Sequence, residues 1–455
     1  MLALSILILA AVAVHAGTPD QASNFPVSPQ LAAKYDCGEA CQATLNKTNA
    51  KDLQIFDTPF DFDFYATAKN FSNSKPGDVL KLTPVDPDIL SVPAGVAVYK
   101  IQYTSTDLDN SAVPSTGFIA FPFVRQSDPF KLVAYAHGTT GMFRGCAPST
   151  SSFLFDYNSW TPLVLAGYAV VGTDYAGLGN NYTAHKYVSS RANANDVYWS
   201  AVAARKAFPR NLSREWVSIG HSQGGGASWK LSEHELVQSK TSGYLGGVSI
   251  GPVTYLYDAL LDGFSKLKDL TEEQLQHYGI VTLLPSMAFA LRAVFPKYTP
   301  PYFSDLLKSR IKLGQVAQLC DTALSGLVHD ANLTQLITNV NLTSDPTLKK
   351  FQQLNAPAQG AKTSKPLLVI QGGSDSIVFP DMTTKAYKNS CKAGNAVRLS
   401  LYPELDHTAV VGASAPEWLE FIDKLFHHRG LDKFKCSMKT LVPFDVAHAS
   451  KPLDT

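Results

Sequence analysis

The sequence has no excess of charge of either sign. Its 455 residues include 39 Lys and Arg against 38 Asp and Glu, which leaves a formal net charge of +1. Nucleic-acid binding depends on a surplus of positive charge that attracts phosphates, so we exclude this class of function. Charged residues make up only 17% of the chain and hydrophobic residues 45%. Such an apolar composition predicts a folded chain, because it supplies the surface whose burial offsets chain entropy.

Long apolar runs are also scarce. After the N-terminus, no window has the roughly 20 uninterrupted apolar residues of a membrane span. The nearest approach, 280–295, is interrupted by Pro285 and Arg292. Residues 1–16 form an uncharged apolar stretch that ends in the small residue Ala16, and its length is typical of a cleaved secretory signal peptide. We therefore predict secretion and no transmembrane segment, with a buried core segment as the alternative interpretation of 1–16.

Glycosylation sequons agree with this prediction. An Asn-x-Ser/Thr triplet in a secreted protein is an acceptor for N-linked glycans on surface loops. The chain has six such sites, at Asn46, Asn70, Asn181, Asn211, Asn332 and Asn341.

The six cysteines have no paired C-x-x-C spacing, so a metal site is not expected. In an oxidising compartment they predict three disulfides, for which the sequence alone allows fifteen pairings. The short spacing favours a local Cys37–Cys41 bridge. For the remaining four cysteines we expect that one bridge ties the body of the protein to an insertion and another fastens the C-terminal segment, as Cys146–Cys320 and Cys391–Cys436.

Strand-like and helical segments alternate between about residues 100 and 255, which is typical of a mostly parallel sheet. We predict strands at 96–103, 116–121, 131–136, 168–171 and 216–219, and a helix at 193–208. From 255 to 360 the pattern is helical, and strands then resume at 365–371 and 396–402. The predicted parts are therefore a leader packed on the core (17–95), a first core part (96–254), a helical cap insertion (255–360) and a second core part with the C-terminal segment (361–455).

The segment Gly220-His-Ser-Gln-Gly224 matches the G-x-S-x-G pattern between the strand at 216–219 and a helix that begins near Gln223. In this setting the serine occupies a strained turn from strand to helix, which presents its Oγ to a substrate. Gly220 and Gly224 must lack side chains because the two backbones approach each other there. We predict that Ser222 is a nucleophile.

A serine nucleophile needs a base and a group that orients the base, in the chain order Ser, Asp or Glu, then His for this arrangement. Asp375 follows the strand at 365–371, and His407 follows the strand at 396–402. Both positions are on loops at the carboxyl ends of strands, so we predict Asp375 as the acid and His407 as the base. Asp406 is a weaker alternative, because a carboxylate seldom reaches Nδ1 of the adjacent residue's ring.

Other histidines compete less well for the role of base. His137 precedes the nucleophile and suits a role in shaping a loop, and His221 is expected to pack inside the turn. His427, His428 and His448 follow the last predicted helix and remain alternatives to His407.

Acyl transfer also needs donors for the oxyanion, usually the N–H after the nucleophile and one from an early loop. We predict the N–H groups of Gln223 and Thr139, with Thr140 as the second choice for the latter. An ordinary glycine turn is the alternative interpretation of this loop.

Four motifs occur in order: His137-Gly-Thr-Thr-Gly141, Cys146-Ala-Pro-Ser149, 167–179 and the G-x-S-x-G segment. Together they resemble the secretory lipase family, which includes fungal lipases of the Candida antarctica lipase A type and actinobacterial relatives. The resemblance covers about 95–435. It implies an α/β-hydrolase fold with a mostly parallel sheet and a helical cap, and ester hydrolysis without a cofactor. It also implies the triad Ser222, Asp375 and His407, and it supports the two long-range disulfides.

The predicted function is therefore that of a secreted, monomeric serine carboxylester hydrolase of lipase or esterase type. Its expected substrates are triacylglycerols or related lipid esters, although the His-Gly-Thr loop resembles the bacterial branch and does not imply long acyl chains. The 280–295 segment with Tyr298, Tyr302 and Phe303 is expected to line an acyl pocket or meet a lipid–water interface, or else to form ordinary core. An acyltransferase with the same triad and a non-catalytic binding protein of hydrolase fold are the alternative functions.

Overall fold

The computed structural model describes residues 20–125, 128–266, 279–338, 345–430 and 434–450. The predicted signal peptide at 1–16 and the Asn341 sequon lie outside these residues. A ten-stranded sheet is at the centre of the described part. Its strands are β1 (Val79–Pro84), β2 (Ala97–Thr106), β3 (Ala112–Phe121), β4 (Phe130–Ala136), β5 (Ala169–Thr173), β6 (Leu212–His221), β7 (Tyr244–Ile250), β8 (Leu367–Gly372), β9 (Val397–Tyr402) and β10 (Ser437–Thr440).

The strand order is β1-β2-β3-β5-β4-β6-β7-β8-β9-β10. In this order, every neighbouring pair from β5 through β4 to β10 is parallel, whereas the pairs β1–β2, β2–β3 and β3–β5 are antiparallel. The sheet is thus mostly parallel, and this is an α/β-hydrolase fold, as the sequence predicts.

Helices cover both faces of the sheet, which is why the central strands have continuous apolar runs. Along β4, Leu132 and Ala134 pack in one core with the helix Ser190–Ala207, and Val133 and Tyr135 pack in another with the helix Ala415–Phe426. The helices are α1 (Pro29–Lys34), α2 (Glu39–Ile55), α3 (Phe62–Tyr65), α4 (Thr161–Leu165), α5 (Ser190–Ala207), α6 (Gln223–Ser232), α7 (Glu235–Gln238), α8 (Leu256–Lys266), α9 (Gly279–Thr282), α10 (Leu284–Val294), α11 (Asp305–Ala317), α12 (Asp321–Gly326), α13 (Leu333–Leu336), α14 (Pro346–Asn355), α15 (Pro380–Lys392), α16 (Ala409–Ala413) and α17 (Ala415–Phe426).

The segment between β7 and β8, where we expect the cap, contains helices α8 to α14 and has its own apolar core. The leader packs partly on the sheet and partly on this segment, since β1 pairs with β2 whereas α2 packs on α12. Tyr302 and Phe303 are buried in the same core, so these two aromatic side chains do not form a lipid-facing surface.

The structure joins the cysteines in the three pairs expected from the sequence. Cys37–Cys41 closes a turn between α1 and α2, with a Cα–Cα distance of 5.1 Å. Cys146–Cys320 links the loop after β4 to the start of α12, and Cys391–Cys436 links α15 to the segment before β10. No helix in the described ranges is long and apolar enough to cross a membrane.

Candidate active site

Ser222 lies between β6 and α6 in a backbone conformation that is rare for a residue with a side chain, with φ +58° and ψ −120°. Its N–H donates to the carbonyl of Ile250 at 2.9 Å, and its own carbonyl accepts from Gly226 at 3.0 Å and Val253 at 3.1 Å. These bonds hold a strained turn of the kind found at functional sites.

The glycines on both sides of Ser222 meet backbone atoms at very short range. A Cβ at Gly220 would lie 2.2 Å from the carbonyl oxygen of Gly224, and a Cβ at Gly224 would lie 1.9 Å from that of Ala136. The helix α6 therefore lies very close to β6 at Gly220 and to β4 at Gly224, which is possible because neither glycine has a side chain.

The imidazole of His407 and the carboxylate of Asp375, which are expected to activate the serine, meet on the loops that follow β9 and β8. Nδ1 of His407 lies 2.7 Å from Oδ2 of Asp375. Both side chains are buried, His407 with 8% and Asp375 with 3% of its surface exposed. Because a carboxylate only accepts hydrogen bonds, Nδ1 donates the proton and Nε2 keeps a free lone pair. The pair can therefore act as an oriented base.

Asp375 is fixed by three further donors. The backbone N–H groups of Ile377 and Val378 donate to Oδ1 at 3.0 and 2.8 Å, and the side-chain amide of Gln371 donates to Oδ2 at 3.0 Å. Asp406 has a different role, since its Oδ1 accepts from the N–H groups of Thr408 and Ala409 at 3.0 and 2.7 Å. Geometry thus separates the two acids that the sequence left in competition.

His221 supports His407 rather than replacing it. Its Nε2 lies 2.9 Å from the carbonyl oxygen of His407, and the two ring centroids are 4.5 Å apart. Its Nδ1 lies 2.9 Å from the hydroxyl of Tyr157. Burial lowers the pKa of His221 well below its usual value, so the ring is neutral. Nε2 therefore donates to the carbonyl, and Nδ1 accepts from Tyr157.

The other histidines are engaged elsewhere. The nitrogens of His137 lie 2.5 Å from the carbonyl of Gly138 and 3.2 Å from that of Asp174, and burial lowers the pKa of His137 to about 4. It packs beneath the loop that we expect to hold the oxyanion. The three C-terminal histidines pair at the surface with acids, as His427 with Asp423, His428 with Glu215 and His448 with Asp445.

Ser222 and His407 line a single cavity of about 410 Å³, which also includes Gly138 and Thr139. Ser222 and His407 are both described, and no hydrogen bond joins the hydroxyl of the one to the ring of the other. Contacts of this kind in active sites commonly tighten only when substrate binds. The walls are mainly apolar and come from the core loops, α8, α10 and α15. They include Phe153, Phe155, Leu256, Ala259, Leu283, Met287, Val378, Phe379 and Met382.

Gln223, the other predicted oxyanion donor, begins α6, where the first N–H groups of a helix have no partner within it. Its side-chain amide is held by other residues, since Nε2 lies 3.0 Å from Nε2 of His185 and 3.2 Å from Oδ1 of Asn193. Only its backbone N–H is therefore considered as the oxyanion donor. Burial lowers the pKa of His185 to about 3, so that ring is neutral and accepts from the amide.

Sequence reasoning missed several site residues. Tyr157, Gln371 and Asp321 belong to no motif. The fold brings Tyr157 and Asp321 to the cavity, whereas Gln371 is only four residues before the acid that it contacts. Within the described ranges, no group of three or more His, Cys, Asp or Glu side chains is arranged to hold a metal ion.

Lipases and an esterase are among the known proteins to which the chain is similar. No family model matches the chain. Lipase 6 of Candida albicans is 25% identical over 397 residues, 81% of each protein, and Lipase 10 of the same organism is 24% identical over 80% of each. Candida antarctica lipase A in its closed state superposes with a TM-score of 0.65 at 18% identity, over 82% of this chain and 87% of that one. A rice cell wall degrading esterase of Xanthomonas oryzae gives a TM-score of 0.56 at 18% identity, over 80% of this chain and all of that one.

The similarity to the Candida albicans relatives extends along most of the chain, and the Candida antarctica structure has a similar fold over most of it. These likenesses agree with the resemblance seen in the sequence motifs. Along most of its length the chain is similar to fungal lipases, including Candida antarctica lipase A, and it is an ester-hydrolysing enzyme.

Proposed function

We propose that the chain is a secreted serine carboxylester hydrolase that cleaves lipid esters through Ser222, His407 and Asp375. The observation that carries the proposal is the 2.7 Å contact between Asp375 and His407, which lines the same cavity as Ser222 in its strained turn. A serine and an imidazole that face one cavity, with a carboxylate bonded to the imidazole, are the components of nucleophilic acyl transfer.

In the first half of the reaction, Nε2 of His407 takes the proton of the Ser222 hydroxyl as Oγ attacks the ester carbonyl carbon. The N–H groups of Gln223 and Thr139 stabilise the oxyanion. His407 then gives its proton to the departing alcohol oxygen, which leaves an acyl-enzyme. Asp375 keeps the ring in the productive tautomer and stabilises the imidazolium that forms at each step.

In the second half, His407 takes a proton from water, and the resulting hydroxide attacks the acyl carbonyl. Ser222 leaves with the proton from His407, and a carboxylic acid is released. If an alcohol took the place of water, the product would be a new ester, as in an acyltransferase.

The apolar walls of the cavity support a lipid or other hydrophobic acyl group as the part of the substrate that it encloses. Its volume of about 410 Å³ is within the range of small-molecule sites. The relatives named as lipases support the same substrate class.

Secretion is supported by the three disulfides, since disulfides persist in oxidising compartments. It is also supported by the sequons, because Asn46, Asn70, Asn181 and Asn332 are exposed and Asn211 is half-buried. All five can therefore be reached by glycosylation enzymes or lie close to the surface.

The proposal is tested by labelling the purified protein with a serine-reactive phosphonate and locating the label by mass spectrometry. A panel of p-nitrophenyl esters from acetate to palmitate measures turnover and the acyl length that the cavity accepts. We expect the label on Ser222 and no turnover by Ser222→Ala. A competing alcohol in the assay shows whether water or alcohol is the acceptor.

Ser228→Ala is the matched control. Ser228 is a fully buried serine of α6, the helix that follows Ser222; its hydroxyl is hydrogen-bonded to that of Ser218 at 2.8 Å, and it does not line the cavity. This variant should keep both the label and turnover. Turnover retained by Ser222→Ala, with the folded state verified by thermal unfolding, would refute the proposed nucleophile.

A further inference from the structure

One carboxylate in the cavity has no part in the proposed mechanism. Asp321 is the first residue of α12 and lines the cavity together with Ser222 and Thr139. Its Oδ1 is inaccessible to solvent and meets no hydrogen-bond donor among the residues that the structure describes. A buried carboxylate oxygen without a donor is unusual, because nearly all buried polar atoms have a partner.

The backbone fixes Asp321 beside the loop at 137–141. Its N–H donates to the carbonyl of Thr140 at 3.1 Å, and the backbone of the preceding Cys320 forms an isolated antiparallel β-bridge with that of Gly141. The Cys146–Cys320 disulfide fastens the same point. Asp321 is therefore held next to the loop that carries Thr139, at the reacting end of the cavity.

The electrostatic setting favours a ligand that donates a hydrogen bond. Burial raises the pKa of Asp321 to about 6 and is the only cause of the shift, so no nearby charge compensates the carboxylate. Above that pH the group is an acceptor only. The second oxygen, Oδ2, is not enclosed in this way and also meets no donor among the described residues, so Oδ2 is the oxygen that can accept a hydrogen bond from the cavity.

We propose that Asp321 determines specificity by accepting a hydrogen bond from a hydroxyl group of the ester substrate. This inference rests on the proposed function and refines its substrate class to hydroxyl-bearing esters, such as partial esters of polyols or esters of hydroxy acids. A neutral hydroxyl fits better than a cation, because removing a full charge from water into an apolar cavity costs far more.

Two matched ester pairs locate the hydroxyl. On the alcohol side, 2-hydroxyethyl butanoate is compared with propyl butanoate, and on the acyl side, ethyl 3-hydroxybutanoate is compared with ethyl 3-methylbutanoate. The measured quantity is the ratio of kcat/KM within each pair. We expect the wild type to favour the hydroxy ester in at least one pair, and that pair identifies the side that Asp321 contacts.

Asp321→Leu should lower this ratio about tenfold, since a hydrogen bond to a charged group is lost. The loss should fall mainly on kcat/KM for the hydroxy ester, whereas a general structural defect would lower kcat/KM for both esters of the pair in proportion. Asp321→Asn keeps an acceptor oxygen and should retain part of the preference. Asp305→Leu is the matched control, because Asp305 is also the first residue of a helix, α11, but is exposed and does not line the cavity.

An equal ratio in the wild type and Asp321→Leu would overturn the inference and leave the proposed function intact. Choline butanoate tests a cationic substrate instead. If the wild type preferred it to propyl butanoate but preferred neither hydroxy ester, and Asp321→Leu lost that preference, the assignment to a hydroxyl would be overturned. If the wild type hydrolysed none of these esters, the proposed function itself would fail.

Discussion

Replacing Gly224 by alanine tests whether the close approach of β4 and α6 positions the nucleophile. A Cβ at Gly224 would lie 1.9 Å from the oxygen and 2.4 Å from the carbon of the Ala136 carbonyl, and 2.6 Å from the carbonyl oxygen of His137. Real Cβ contacts are essentially never shorter than 3.0 Å. Since all three neighbours are backbone atoms, no side chain can turn away, and α6 must move by about 1 Å from β4.

The expected effects on stability and activity differ in size. Overpacking of this kind costs about 1–3 kcal/mol. Unfolding entropy of about 2.1 cal/mol/K per residue makes 3 kcal/mol equal to a fall in Tm of only about 3 °C for a chain of this length. Ser222 begins the turn into the same helix, and a displacement of about 1 Å at a reacting group can lower the rate about 10²-fold. Activity should therefore suffer far more than stability.

The assay is kcat/KM for a p-nitrophenyl ester, with Tm measured on the same preparations. Gly412→Ala is the matched control, because Gly412 is also in a helix, α16, and its nearest neighbour to an added Cβ is Asn158 at 3.6 Å, an ordinary contact. That variant should keep its activity and its Tm, since alanine favours helix. A Gly224→Ala enzyme with unchanged kcat/KM would refute the claim that this contact positions Ser222.

Three further perturbations follow from the structure. Asp375→Asn should lower kcat about 10³- to 10⁴-fold in the ester assay, with little change in Tm, because the amide stabilises the wrong His407 tautomer. Burial raises the pKa of Asp52 to about 7, so its contribution to stability is full below the unfolded pKa near 4 and is lost as pH rises through 7. As pH rises from about 4 to 7, Tm should fall less in Asp52→Asn than in the wild type. An equal dependence of Tm on pH in the two proteins would contradict the raised pKa of Asp52. Removing the Cys146–Cys320 bridge by a double serine substitution should cost about 5 kcal/mol, seen as a lower Tm, because the bridge closes a loop of 174 residues.

Local patterns were sufficient for much of the fold. Short apolar runs located most central strands, and the helix predicted at 193–208 corresponds to α5. The strand β7 was not predicted, because Gly246 and Gly247 are more typical of loops. The exposed edge strand β10 has no apolar alternation that would mark it. Both strands depend on neighbours that are distant in the chain.

The sequence by itself determined the turn around Ser222 and the candidates Asp375 and His407, because chain order, glycine positions and strand ends are local features. Only the tertiary structure separated Asp375 from Asp406, since that choice depends on which carboxylate reaches Nδ1 of His407. The same holds for Tyr157 and Asp321. Their contacts with the site join segments far apart in sequence, and such contacts arise from packing, which no short motif records.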